Sequence, residues 1–146
     1  MLDHRTEAVP ALMTPERALD PSLTEHEVAE LSHAASDQVR AAVAERHDVS
    51  VITMLKLARD SSPEVRASVA RNSRPDMPEE ILVELADDKS REVVYALIYN
   101  PAVPTSVLAH LARPFRQGPA GAARARLAQR TAPSSVTSRR RSSRRH

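Results

Sequence analysis

"SPEVRASVARN", Ser62–Asn72, is the stretch that decides how this chain folds. A close copy, "SDQVRAAVAER", runs from Ser36 to Arg46, and a degraded one, "SREVVYALIYN", from Ser90 to Asn100. In each copy a valine (Val39, Val65, Val93) stands three residues after the serine, and Val43, Val69 or Leu97 follows four residues later. Apolar spacing of four predicts one face of a helix. The serine sits where an N-cap belongs, its hydroxyl expected to accept from the first-turn N–H groups. Pro63 then falls at N1, where a missing N–H costs nothing. Glu64 and Glu92 lie in the first turn, where the helix dipole favours an anion.

A second element accompanies each copy. Its marks are Val28, Met54, Leu82 and Leu108, each followed three residues later by a leucine: Leu31, Leu57, Leu85 and Leu111. From valine to valine the repeats measure 26 and 28 residues, the longer containing "NSRPDMP" where "NPAVP" suffices elsewhere. Extra residues of this kind belong in an exposed turn. "VSVITMLKL", Val49–Leu57, alternates and is β-branched, so alone it reads as a strand. Its aligned copies "PEEILVELA" and "PTSVLAHLA" read as helix openings, and the alignment prevails. Two turns of helix are expected there, partly 3₁₀. Helices this short cannot bury an apolar face singly, but stacked pairs can. Three copies and a leading half, "DPSLTEHEVAELS", just suffice. The fold class is therefore all-α, a short α-solenoid without a sheet. Periodicity alone does not set its hand.

Composition agrees. The 146 residues are 41% hydrophobic but only 2% aromatic, and two glycines are too few for a turn-rich β fold. The absence of cysteine excludes disulfides, thiol catalysis and cysteine-ligated zinc or iron–sulfur clusters. No apolar run approaches the ~20 residues that span a membrane. "MLDHRTEAVPALM" lacks the pattern of a signal peptide, so the cytoplasm is the expected location. Nineteen of the 21 basic residues are arginine, a bias that suggests a GC-rich bacterial genome. Charge divides the chain. Residues 1–112 hold 11 Lys and Arg against 19 Asp and Glu, a net of −8, whereas residues 113–146 hold 10 Arg and no acid. The organisation expected is an N-terminal arm (1–20), a repeat array (21–113) and a basic, largely disordered tail (114–146) with a short helix at 120–131.

The run from Pro21 to Pro114 resembles the leucine-rich repeat variant family. The likeness rests on the "VRxxVA" helix, the "NP-x-x-P" turn and the "LLxxLA" helix. Asn100, Pro101 and Pro104 match the turn fully. Asn72, Pro75 and Pro78 match it with two residues inserted, and His47 and Ser50 replace both prolines in the first copy. The resemblance implies alternating α- and 3₁₀-helices in a right-handed superhelix. It implies no general enzymatic activity. The founding member carries a cysteine-ligated iron–sulfur module, which does not carry over to a chain without cysteine.

Few residues invite chemistry. His26, Glu30 and His33 share a helical face, but Glu30 occupies the second histidine position of a zinc-hydrolase motif, and Val28 and Leu31 claim the core side. An ordinary polar face is expected there, and no cofactor or metal is assigned. No Ser/His/Asp signature, P-loop or G-x-G-x-x-G occurs. Tyr95 and Tyr99 replace Ala67 and Arg71 of the preceding copy, and Val94 replaces Arg66. Two readings stay open for these three residues. One is the covered end of the array, under Phe115 or Leu127; the other is a patch that binds a protein partner. Arg139, Arg140, Arg141, Arg144 and Arg145 are candidates for sequence-independent contact with nucleic-acid phosphates, or else for a solvated tail. The leading expectation is a non-enzymatic scaffold for protein–protein interaction, and the alternative is nucleic-acid association through the tail.

Overall fold

The computed structural model describes residues 13–113 and 118–132. Among these residues the chain is all-helical, without a strand. The helices are α1 (Pro15–Ala18), α2 (Glu25–Leu31), α3 (Asp37–Ala44), α4 (Val51–Leu57), α5 (Pro63–Arg71), α6 (Glu79–Ala86), α7 (Arg91–Tyr99), α8 (Thr105–Leu111) and α9 (Pro119–Thr131). Odd-numbered helices follow one another in a row, α1 on α3, α3 on α5, α5 on α7 and α7 on α9. The short even-numbered helices back this row, α2 on α3, α4 on α3 and α5, α6 on α5 and α7, and α8 on α6 and α9. The repeat marks form the interior between the rows: Val39, Val43, Val65, Val69, Val93 and Leu97 are fully buried, as are Met54, Leu108 and Leu111.

The short elements are α-helices with 3₁₀-type bonds at their ends, as from Ile81 N–H to Pro78 O and from Val107 N–H to Pro104 O at the entrances of α6 and α8. In α4 the Met54 N–H donates to Ser50 O at 2.9 Å, and 3₁₀-type bonds appear only at the exit, from Asp60 N–H to Leu57 O. The strand-like look of "VSVITMLKL" has a simple source. Val51 and Ile52 stand exposed where the other copies carry polar residues, while Met54 and Leu57 are buried at helical spacing.

Ser36, Ser62 and Ser90 occupy the N-cap positions, but their hydroxyls make no capping bond, contrary to the sequence expectation. For the last two, aspartates two residues upstream take the serine backbone instead. Asp60 Oδ1 accepts Ser62 N–H at 2.9 Å, and Asp88 Oδ1 accepts Ser90 N–H at 2.8 Å. Side-chain caps occur on the first two short helices, where Ser50 accepts from Thr53 N–H and Thr24 and Glu27 form a reciprocal capping box.

Two sets of polar contacts join each repeat to the next. The first runs through the turns. Asn72 Nδ2 donates to Ala44 O and Arg46 O, both at 2.8 Å, and its Oδ1 accepts Arg74 N–H at 2.9 Å. Asn100 repeats this, donating to Ala70 O at 2.8 Å and Asn72 O at 2.9 Å while accepting from Ala102 N–H. One step earlier Arg46 takes the donor role, its Nη1 reaching Ala18 O and Asp20 O at 2.8 and 2.7 Å. The second set is ionic. Arg40 grips Asp60 and donates to Ala34 O, and Arg66 likewise grips Asp88 and donates to Asp60 O. The Arg66–Asp88 side chains are each only 9% exposed.

Both ends of the turn ladder are terminated. Asp20 stands where the later turns have Arg46, Asn72 and Asn100. Its carboxylate accepts Ser22 N–H at 2.8 Å, the acceptor half of the asparagine's task. α1 therefore belongs to the array, although residues 1–20 read in sequence as an arm. At the other end α9 lies in the slot of a further odd-numbered helix. Arg126 Nε donates to Ile98 O at 3.4 Å and Arg130 Nη2 to Asn100 O at 3.2 Å, the carbonyls a further asparagine would take. Arg130 also donates to Val103 O and Pro101 O. Ala120 and Ala123 are buried, and Leu127 packs on the core. α9 starts from Gly118 at φ 88° and ψ −81°, a positive-φ conformation that glycine reaches far more readily than residues with a Cβ.

The ionic set predicts an acid response. Burial pushes the Asp60 carboxyl up, but the Arg40 hydrogen bonds, the Ser62 N–H and the charges of Arg40 and Arg66 prevail and hold it below its ordinary value. A lowered folded value stabilises the fold above the unfolded pKa of about 3.9, and this contribution is lost as pH falls through the lower, folded value. Melting temperature is therefore expected to hold from neutral pH to about pH 5 and to fall below about pH 4. Asp60→Asn should melt lower at pH 7 and show a shallower acid decline in the same series.

Candidate protein-binding ledge

The last turns of α3, α5 and α7 bring Glu45, Arg71 and Tyr99 to equivalent places, and all three are exposed. Tyr99 is 60% exposed, unusual for a ring of this size in a helix with a packed core side. Tyr95, one turn earlier, is half-buried, and the two rings stack with centroids 6.3 Å apart and planes inclined by 13°. Spacing of four on a helix produces this contact. Stacking holds both rings in one orientation, so little side-chain freedom remains to be lost when another surface covers them.

The rings form one wall of a hollow of about 350 Å³ that Arg71, Glu92, Ala96, Asn100 and Pro101 complete. A second hollow of about 260 Å³ adjoins it, lined by Glu45, His47, Ser68, Arg71, Asn72 and Ser73. Arg71 is common to both. Arg17, Arg40, Arg46, Arg59, Arg66 and Arg74 each pair with a carboxylate, whereas among the described residues the Arg71 guanidinium hydrogen-bonds only to Ser68 Oγ, at 3.2 Å. Together these residues make a ledge with two rings, an uncommitted cation and shallow recesses on either side of it. The asparagines behind it are spent: Asn72 and Asn100 each make three hydrogen bonds within the array and have no amide proton left for an incoming backbone.

Val94 corrects the sequence reading. It is 4% exposed and contributes no surface. The reason lies in the ionic set. Arg40 and Arg66 need Asp60 and Asp88, and the position that follows in this series is Pro114 in the sequence. With no carboxylate to meet, an arginine at 94 would be left with an uncompensated charge, and a valine buries instead, on the helix that α9 packs against. Val94 is thus covered, whereas Tyr99 is open to solvent. Leu127 supplies part of the cover, and Phe115 lies outside the described residues.

Arg139, Arg140, Arg141, Arg144 and Arg145 also lie outside the described residues. His26 and Glu30 are exposed on α2 and His33 is exposed in the turn beyond it, with His26 Nε2 3.3 Å from Glu30 Oε1. Sequence reasoning passed over Arg71. Its signal was the variable column Glu45, Arg71, Tyr99 within an otherwise regular repeat.

Among the described residues no helix is long and apolar enough to cross a membrane. The fold is that of an all-helical stack of repeats. Set against known proteins, the chain matches no family model, no curated protein and no solved structure.

Proposed function

We propose that the chain is a non-enzymatic repeat scaffold that holds a protein partner on the ledge around Tyr95, Tyr99 and Arg71. The observation that carries this reading is the stacked pair of half-buried Tyr95 and exposed Tyr99, the latter standing where the sibling repeats carry Glu45 and Arg71. Tyrosine and arginine are the residues over-represented at the energetic centre of protein interfaces. The polar rim of Glu45, His47 and Glu92 fits the border such centres have. Membership of the leucine-rich repeat variant class, with its right-handed superhelix, is part of the same proposal. It rests on Asn100, Pro101 and Pro104 and on the regular valine and leucine marks. A cytoplasmic site of action is proposed on the same footing.

Tyr99→Ala should leave the melting temperature within a degree or two, because an exposed ring contributes little to the core. The same substitution should weaken capture of the partner about thirty-fold or more, the range of a tyrosine hot spot. Affinity capture from the source cell with the native chain, Tyr99→Ala and Ile52→Ala decides it. Loss of the same protein in Tyr99→Ala alone supports the ledge. Equal capture by all three places the interface elsewhere.

A further inference from the structure

The arginines of the C-terminal end behave unlike those of the array. Arg124 Nε donates to Ala112 O at 3.0 Å, Arg126 reaches Ile98 O and Gln129, and Arg130 reaches the turn carbonyls. Among the described residues none of them pairs with a carboxylate, and residues 113–146 contain no acid. A carbonyl oxygen orients a guanidinium without neutralising it, so each keeps its full charge. Arg113 is exposed beside the Ala112 carbonyl that Arg124 holds. Arg91, also exposed, lies over the start of α9, where a side-chain carbon at Gly118 would stand 3.7 Å from its Nη2. Along α9 itself Arg124 marks one edge and Arg126 and Arg130 the other. The exposed residues between them include Gly121, Ala125 and Ala128.

We propose that this end of the array, Arg91, Arg113 and Arg124 with the outer face of α9, binds the phosphate backbone of nucleic acid without regard to sequence. Arginines on a helix without an acid suit a polyanion, and small residues between them allow it to approach the helix closely. A protein partner would need an aromatic or large aliphatic anchor at the centre of the contact. The outer face of α9 has none, whereas the tyrosine ledge does. Stacking on the bases of a single strand would need aromatic groups, which this face lacks. The surface is separate from the ledge and does not depend on the function proposed for it.

The test uses the full chain and a short labelled DNA duplex, with affinity measured across a salt series. Arg113→Gln with Arg124→Gln leaves Arg126 and Arg130 on the ladder carbonyls, so melting temperature should stay close to that of the native chain. Binding should weaken, and the slope of log affinity against log salt should shrink by about 1.8, at about 0.9 per phosphate contact. The same comparison is made in a chain whose Arg139, Arg140, Arg141, Arg144 and Arg145 are all glutamine, which removes any contribution from those five. The proposal predicts residual binding in that chain and its loss on adding the two substitutions. An unchanged affinity and slope in both backgrounds overturns it. So does tighter binding of polyglutamate than of the duplex at equal salt, which would assign the surface to an acidic protein.

Discussion

Asn72→Ala is expected to destabilise the fold by about 3 kcal/mol. The substitution strips three buried backbone groups of their partners at once: Ala44 O, Arg46 O and Arg74 N–H. Each such group costs about 1–3 kcal/mol when left without a hydrogen bond, and local relaxation keeps the sum below full additivity. Asn72→Asp should be no better. A carboxylate still accepts from Arg74 but faces two carbonyl oxygens with no proton to offer. The chain already contains the control for this. Asp20 holds the same place on the first turn, where its acceptor half alone serves the Ser22 N–H. Urea denaturation followed by circular dichroism measures the loss. A change under about 1 kcal/mol would mean that water replaces the amide at no great cost, and that the ladder is geometry rather than stability.

The second large effect concerns Arg66 and Asp88. Removing either member of a buried pair leaves an uncompensated charge and typically costs about 3–5 kcal/mol. Asp88→Ala also deprives the Ser90 N–H of its acceptor, and Arg66→Met deprives Asp60 O of a donor. The double variant should cost clearly less than the sum, because no lone charge remains. The following repeat already shows such a replacement, with Val94 in the arginine's place and Pro114 in the aspartate's. A double-mutant cycle on melting free energies should give a coupling of at least about 1.5 kcal/mol. Additivity within about 0.5 kcal/mol would show that the two side chains act independently.

The helical repeat was legible because its signal is local and periodic. Val39, Val65 and Val93, with the leucines eighteen to twenty places along, fall on a helical face that no other structure buries. What escaped was non-local. The N-cap position of Ser62 is visible in the sequence, but whether its hydroxyl caps depends on Asp60 and Asp37 competing for its backbone and hydroxyl. The turn asparagines look like ordinary loop residues until the carbonyls 26–30 positions earlier come into view. The start of the array was placed at Pro21, although "DPSL" has the spacing of "NPAV", because an aspartate hides the likeness to asparagine. Substitution of Val94, Tyr95 and Tyr99 was plain, but its direction was not. A helix in the middle of a layer has two packed sides, and only the position of α9 tells which residue of α7 it covers.

The ladder also gives the stack a time order. Its donors always lie downstream of its acceptors: Asn72 serves Ala44, Asn100 serves Ala70, and Arg126 with Arg130 serves Ile98 and Asn100. A chain emerging from the ribosome therefore shows, at every length short of α9, a newest turn whose carbonyls still wait for their donors. Helix α9 is the piece of sequence that tells the growing stack it is finished.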